Sequence, residues 1–172
     1  HVASLSPVKD QATLLQAFAL VAQALPGAHL RIVGDGPLRA ALAAQAAALG
    51  LAAQVSFDGA IAHDRLPDLY RAADLFVLSS RYESQSLVAL EAAACGCPVV
   101  GTAVGLLPEL LGPQQLAPVG DAPALAAAML RLLRDPEAGA LAAADAHTRV
   151  VQRFALNQTT PALAALYQSL GV

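Results

Sequence analysis

Two carboxylates eight positions apart, Glu83 and Glu91, bracket the segment Ser80-Arg81-Tyr82-Glu83-Ser84-Gln85-Ser86-Leu87-Val88-Ala89-Leu90-Glu91. Each carboxylate accepts hydrogen bonds at two oxygens, which suits it to holding hydroxyl groups. Between them, Ser84, Gln85 and Ser86 run into Ala-rich sequence that reads as helix. The first turn of a helix presents amide hydrogens with no intrahelical partner, a ready place for a phosphate. A plainer reading makes Ser84 or Ser86 an N-cap and Glu83 an acid favoured by the helix dipole.

The elements that must position these groups are legible on either side. Leu75-Phe76-Val77-Leu78 is an apolar run that reads as a buried strand, so the segment is a strand-to-helix turn, with Glu91 expected about two turns into its helix. Both carboxylates then face the space beyond the strand's C-terminal end, where ligands bind in open α/β sheets. Amides for an anion beside carboxylates for hydroxyls describe a pocket for a nucleotide sugar. Lys9, at the entrance of a helix that starts near Asp10, would draw the same anion, although a lone lysine is more often simply solvated.

From the N-terminus, strand and helix alternate, the signature of a parallel sheet with right-handed crossovers. Strands are expected over residues 2–5, 29–33, 54–57, 75–78, 98–101 and 116–119, the first of them short and central and the last an edge strand. Helices are expected over 10–25, 38–49, 63–72 and 90–95, with one turn near 107–110. The C-terminal third reads as three helices, starting at Asp121, at Asp135-Pro136 and near Thr160-Pro161. The expected fold class is α/β, a Rossmann-like three-layer α/β/α domain with a mostly parallel sheet of about six strands and a helical C-terminal third. Gly34-Asp35-Gly36-Pro37 opens like a dinucleotide fingerprint, but Arg39 stands where the third glycine belongs. Those glycines are expected instead to allow a tight turn and close backbone approach.

Composition removes several classes of function. A net charge of −3 offers no basic footprint for nucleic acid. The longest uncharged runs are broken by Pro26-Gly27 and by Gly96, Pro98, Gly101 and Gly105, so no spanning helix is expected. Cys95 and Cys97 are too close for an ordinary bridge and lack zinc-site spacing. Histidines 1, 29, 63 and 147 form no ligand pair, so no metal site is expected. Two unbridged thiols fit a reducing, cytoplasmic compartment. Opening at His1 on what reads as strand, the chain is expected to be one domain of a longer polypeptide.

Taken together, Ser6-Pro7-x-Lys9, Val33-Gly34-Asp35-Gly36-Pro37-Leu38, Val55-x-Phe57-x-Gly59, Leu69-Tyr70-x-Ala72-Ala73-Asp74, Glu83 with Glu91-Ala92, Cys95-Gly96-x-Pro98-Val99-Val100 and Gly105-x-x-Pro108-Glu109 resemble the C-terminal, donor-binding domain of retaining GT-B glycosyltransferases of group 1 (family 4). The resemblance covers the chain from Val2 to about Leu170. It implies that residues 1–172 are a single nucleotide-sugar domain whose partner, an N-terminal acceptor domain, is absent. By the same resemblance, the amides of Ser86, Leu87 and Val88, in the loop with Ser84 and Gln85, hold a diphosphate to which Lys9 adds positive charge. Glu91 binds ribose hydroxyls, Glu83 binds donor-sugar hydroxyls, and backbone from Ile61 to His63 edges the base; Gly34 belongs to the same cofactor-side set. Glu83 and Lys9 are the expected catalytic pair. The donor is expected to be UDP- or GDP-linked, with no separate cofactor.

The sequence departs from the family in two places. Ser4 stands where the family usually has an arginine paired with the lysine, and Ser84-Gln85-Ser86 replaces a small Gly-Phe-Gly. The first removes a cation from the diphosphate, and the second points to a shift in donor preference. The chain alone is expected to be inactive in transfer. The alternative is a nucleotide-binding or interaction module without transferase activity. An NAD-type dehydrogenase is disfavoured by the broken fingerprint and by the lack of an acidic residue about 20 positions on. The last helix carries Leu163, Leu166, Tyr167 and Leu170 on one side, and self-association is expected through Leu163, Leu166 and Tyr167. The full-length bacterial enzyme is expected to be cytoplasmic and at most peripheral to the inner membrane.

Overall fold

A computed structural model describes residues 1–169, with the side chains of residues 156, 157, 162–164, 166 and 169 outside that description. Five short parallel strands alternate with helices. β1 (Leu30–Val33) pairs with β2 (Val55–Gly59), and β3 (Phe76–Leu78), β4 (Val99–Thr102) and β5 (Leu116–Ala117) pair in that order. The connecting helices are α1 (Gln11–Ala24), α2 (Arg39–Ala48), α3 (Leu66–Arg71), α4 (Leu87–Ala94) and α5 (Leu107–Leu110). α6 (Ala122–Arg134), α7 (Pro136–Arg153) and α8 (Leu156–Ser169) close the chain.

Strand alternation shows the three layers directly. Side chains of successive strand residues point to opposite faces. Ile32, Val77 and Val100 pack with Leu14, Phe18, Leu42, Leu125 and Met129 of α1, α2 and α6. Their neighbours Val33, Phe76, Leu78 and Val99 pack with Tyr70, Ala89, Ala92, Leu107 and Ala146 of α3, α4, α5 and α7. The alanine content has a purpose here. Ala89, Ala92 and Ala93 are fully buried, so α4 lies close against the sheet on one side and against α7 on the other.

The expected sixth, central strand over residues 2–5 is reduced to an isolated bridge between Val2 and Val33. On the β1 side the segment is well bonded, with Val33 N–H donating to His1 O at 2.9 Å and Ala3 N–H to Val33 O at 3.0 Å. On the β3 side a side chain intervenes, because the His1 ring places Nδ1 2.9 Å from Val77 O, the acceptor a strand amide would otherwise take. The strands therefore form a pair and a triplet rather than one sheet of six. A cavity of about 330 Å³ lined by His1, Leu30, Leu75 and Val77 lies where the two groups part.

Two helix boundaries also differ from expectation. α4 begins at Leu87, so Glu91 lies one turn into the helix rather than two. α8 starts at Leu156 and carries Pro161 in its interior, the first turn forming through Thr159 N–H to Ala155 O at 3.0 Å before the proline is reached. The aspartate caps are as the sequence indicated. Asp10, Asp121 and Asp135 accept from Thr13, Ala124 and Ala138 amides. In the last helix Tyr167 is exposed; the Leu163 and Leu166 side chains and Leu170 lie outside the described residues.

Gly34 and Gly36 bring the β1 exit against the N-terminal segment. A Cβ on Gly34, whose φ is +127°, would fall 1.9 Å from Ala3 O, and one on Gly36 would fall 2.5 Å from Leu5 O. Gly34→Ala is expected to cost about 2–5 kcal/mol from overpacking and backbone strain together. Gly50→Ala, at φ +75° with nothing within 4 Å, should lose only the strain of about 1–2 kcal/mol. Urea unfolding of the two variants measures the difference, and equal losses would contradict the close approach.

Candidate functional site

Beyond the C-terminal end of β3, the chain leaves the sheet through Ser79 and Ser80, both fully buried. Their hydroxyls are used in opposite directions. Ser79 Oγ donates to Lys9 O at 2.9 Å, fixing the short 3-10 turn Pro7–Lys9, while Ser80 Oγ donates to Glu83 Oε1 at 2.7 Å. Thr102, at the end of β4, donates to Ser80 O at 2.6 Å. The turn is thus tied to two neighbouring elements before it reaches Glu83.

Lys9 Nζ meets the same Glu83 Oε1 at 2.6 Å. The Glu83 side chain is 8% exposed and that of Lys9 22%. A carboxylate so far from water must be paired. Lys9 and Ser80 together pair one oxygen and leave Oε2 free, and Lys9 keeps two further N–H donors. Arg81, on the same turn, forms an ion pair with Asp10 at 3.1 Å, and its amide donates to Val8 O at 2.8 Å. The loop before α1 and the loop before α4 are therefore bonded side by side.

Glu91 lies on the other flank of the α4 start. Its Oε1 is 3.0 Å from His63 Nε2, and its Oε2 accepts the Tyr70 hydroxyl at 3.0 Å. His63 is in the 3-10 turn His63–Arg65 and its side chain is 81% exposed, whereas Tyr70 is buried at the end of α3. Burial, and then the Glu91 charge, push the Tyr70 hydroxyl well above the usual phenol range, so it remains a donor. Ile61, just before that turn, is half-buried against the core beneath α3 and α4.

Between the two carboxylates stands the N-terminus of α4. Ser86 is its N-cap residue in the left-handed region (φ 56°, ψ 65°), and its side chain makes no cap. Its hydroxyl is buried without a partner among the described residues. The first-turn amides of Leu87 and Val88 have no intrahelical acceptor. Leu87 itself is 63% exposed. Gly105, at φ +54°, lets the loop after β4 touch this segment: a Cβ there would fall 2.8 Å from Glu83 O and 2.9 Å from Ser84 O. Ser84 and Gln85 line a cavity of about 520 Å³ with Leu87, Leu90, Gly105 and Phe154.

The structure therefore brings Lys9 to Glu83 and His63 to Glu91, and hangs both pairs on one helix start. Gly34 lies apart from these bonds, with its backbone close against that of residue 3. Sequence reading missed Ser79, Ser80, Tyr70 and Thr102. Their signal was polar groups next to apolar strand runs or inside an apolar helix face. Cys97 is buried, and burial pushes its thiol up to about 11, which makes it an inert core group.

Parallel strands covered by helices on both faces, with loops and charged pairs gathered at the strand C-terminal ends, define a Rossmann-like α/β domain. The comparisons agree. Residues 1–149 match the family model described as "Glycosyl transferases group 1", and the chain belongs to that glycosyltransferase family. It is 37% identical over 157 residues to a lipopolysaccharide core biosynthesis mannosyltransferase of Rhizobium meliloti, covering 88% of this chain and 42% of that protein. It is 34% identical to a D-inositol 3-phosphate glycosyltransferase of Saccharomonospora viridis, covering 95% of this chain and 41% of that protein. Crystalline Anabaena HepE in complex with UDP superposes with a TM-score of 0.90 at 30% identity, over 98% of this chain and 48% of that one. The chain spans less than half the length of these relatives. Among the described residues no helix is long and apolar enough to cross a membrane.

Ser86 supplies a direct test of the local geometry. Ser86→Gly removes left-handed strain of about 1–2 kcal/mol and an orphaned hydroxyl, against a glycine entropy cost of about 0.5–1 kcal/mol. The variant is expected to unfold at higher temperature than the parent; a lower midpoint would mean that the hydroxyl has a partner in solution.

Proposed function

We propose that this chain is the donor-binding half of a retaining glycosyltransferase and holds a nucleoside diphosphate sugar across the start of α4. The observation that carries the reading is the Lys9, Ser80 and Glu83 cluster, which stands beside a helix N-terminus that no side chain caps. The amides of Ser86, Leu87 and Val88 take the diphosphate, and Lys9 adds charge with its remaining donors. Glu83 turns its free oxygen to the sugar hydroxyls, Glu91 takes the ribose, and backbone at residues 61–63 edges the base. The UDP in HepE and the glycosyltransferase names of the relatives support this class of ligand.

Transfer with retention passes through an oxocarbenium-like transition state in which negative charge grows on the departing diphosphate. Fixed amides and one ammonium stabilise that charge without reorganising. Acceptor contacts come from a second domain, so the chain alone binds donor without completing transfer. A second reading, a nucleotide-binding module without transferase activity, draws on Ser4. Among the described residues its hydroxyl hydrogen-bonds only to the Ser6 hydroxyl, at 3.3 Å, and it brings no cation to the diphosphate.

Calorimetric titration with UDP, GDP and ADP tests the site. One of them is expected to bind, with Lys9→Ala and Glu91→Ala each weakening it tenfold or more, which is about 1.4 kcal/mol or more. Unchanged affinity in both variants would move the ligand elsewhere. Joining the chain to an acceptor domain and assigning the product anomer by NMR separates the two readings, since a module forms no glycoside.

A further inference from the structure

We infer that Tyr70 is a positioning residue that fixes the Glu91 carboxylate for a ribose diol, and so makes the site select ribonucleotides over deoxyribonucleotides. This rests on the reading that Glu91 takes the ribose. The two oxygens of Glu91 are held in very different ways. Oε2 accepts from Tyr70, a side chain 2% exposed whose ring stands edge-on to Phe76 of β3, with centroids 5.6 Å apart at 79°. Oε1 is met by His63, whose ring is mostly in solvent and makes no other hydrogen bond among the described residues. One partner is built into the core and the other is exchangeable with an incoming hydroxyl.

A glutamate one turn into a helix has three side-chain torsions to lose on binding. The Tyr70 hydroxyl removes much of that freedom beforehand, because its ring is buried and packed edge-on against Phe76. Pre-ordering of this kind lowers the cost of binding without adding any contact to the ligand. The benefit falls only on a ligand that uses Glu91. A nucleotide lacking the 2′- or 3′-hydroxyl gains little from it. Simple satisfaction of a buried phenol would give the same hydrogen bond, but its loss would lower stability and leave ligand discrimination alone.

The experiment titrates the parent chain, Tyr70→Phe and Glu91→Ala with whichever of UDP, GDP and ADP binds, and with its 2′-deoxy and 3′-deoxy forms, alongside thermal melting. Tyr70→Phe deletes one atom and keeps the ring on Phe76. It is expected to lose threefold or more of the parent's ribo-over-deoxy preference while binding the deoxy forms as the parent does. Glu91→Ala should bring the preference close to one. A Tyr70→Phe variant that keeps the parent's preference, or weakens ribo and deoxy forms equally, overturns the role of Tyr70. If Glu91→Ala keeps the preference, or the parent binds none of the three diphosphates, the ribose reading itself falls.

Discussion

The constraint on which the site depends is the burial of one carboxylate. Glu83 is 8% exposed at its side chain, and an ionised group so withdrawn from water is tolerated only when paired and hydrogen-bonded. Lys9 supplies the pairing charge from 74 positions away, and Ser80 supplies the hydrogen bond from three. Each of these donors must itself be held. Ser79 holds the main chain of Lys9, and Thr102 holds the main chain of Ser80. The loop after residue 5, the loop after β3 and the end of β4 are drawn together around a single acid.

The same arrangement gives the site its readiness. A helix start that no side chain caps and a left-handed Ser86 with an orphaned hydroxyl are each unfavourable for a protein with no ligand. Strain and unsatisfied polar groups of this kind cluster where a ligand completes the structure. In the donor-binding reading, the anion supplies what the fold withholds. The alanine-rich packing of α4 against α7 then matters for function as well as stability. It keeps the first turn of α4 fixed while its amides wait for an acceptor.

Glu83 and Glu91 look equivalent in the sequence, and the structure makes them different. Glu83 is buried and paired with an ammonium, whereas Glu91 is 29% exposed and held by a phenol and an imidazole. The first therefore shares its charge with the group proposed to meet the diphosphate, and the second keeps its charge for hydroxyls. Division of labour between the two acids comes from what surrounds them, since their chemistry is identical.

Much of this was legible in the residues. Short apolar runs, aspartate caps and the Pro-Gly breaks specified alternating strands and helices, because those signals are local and act over a few residues. The order of weak motifs marked Lys9, Glu83 and Glu91, which the fold gathers around the α4 start. Tertiary structure alone decided what had no local cause. The His1 ring occupies the acceptor on Val77 and leaves residues 2–5 as a bridge instead of a strand. Ser79, Thr102 and Tyr70 are ordinary polar residues until the fold brings Lys9, Ser80 and Glu91 to them across 70, 22 and 21 positions of chain. A sequence states which groups are able to bond; only packing sets which of them are buried together, and burial is what makes those bonds obligatory.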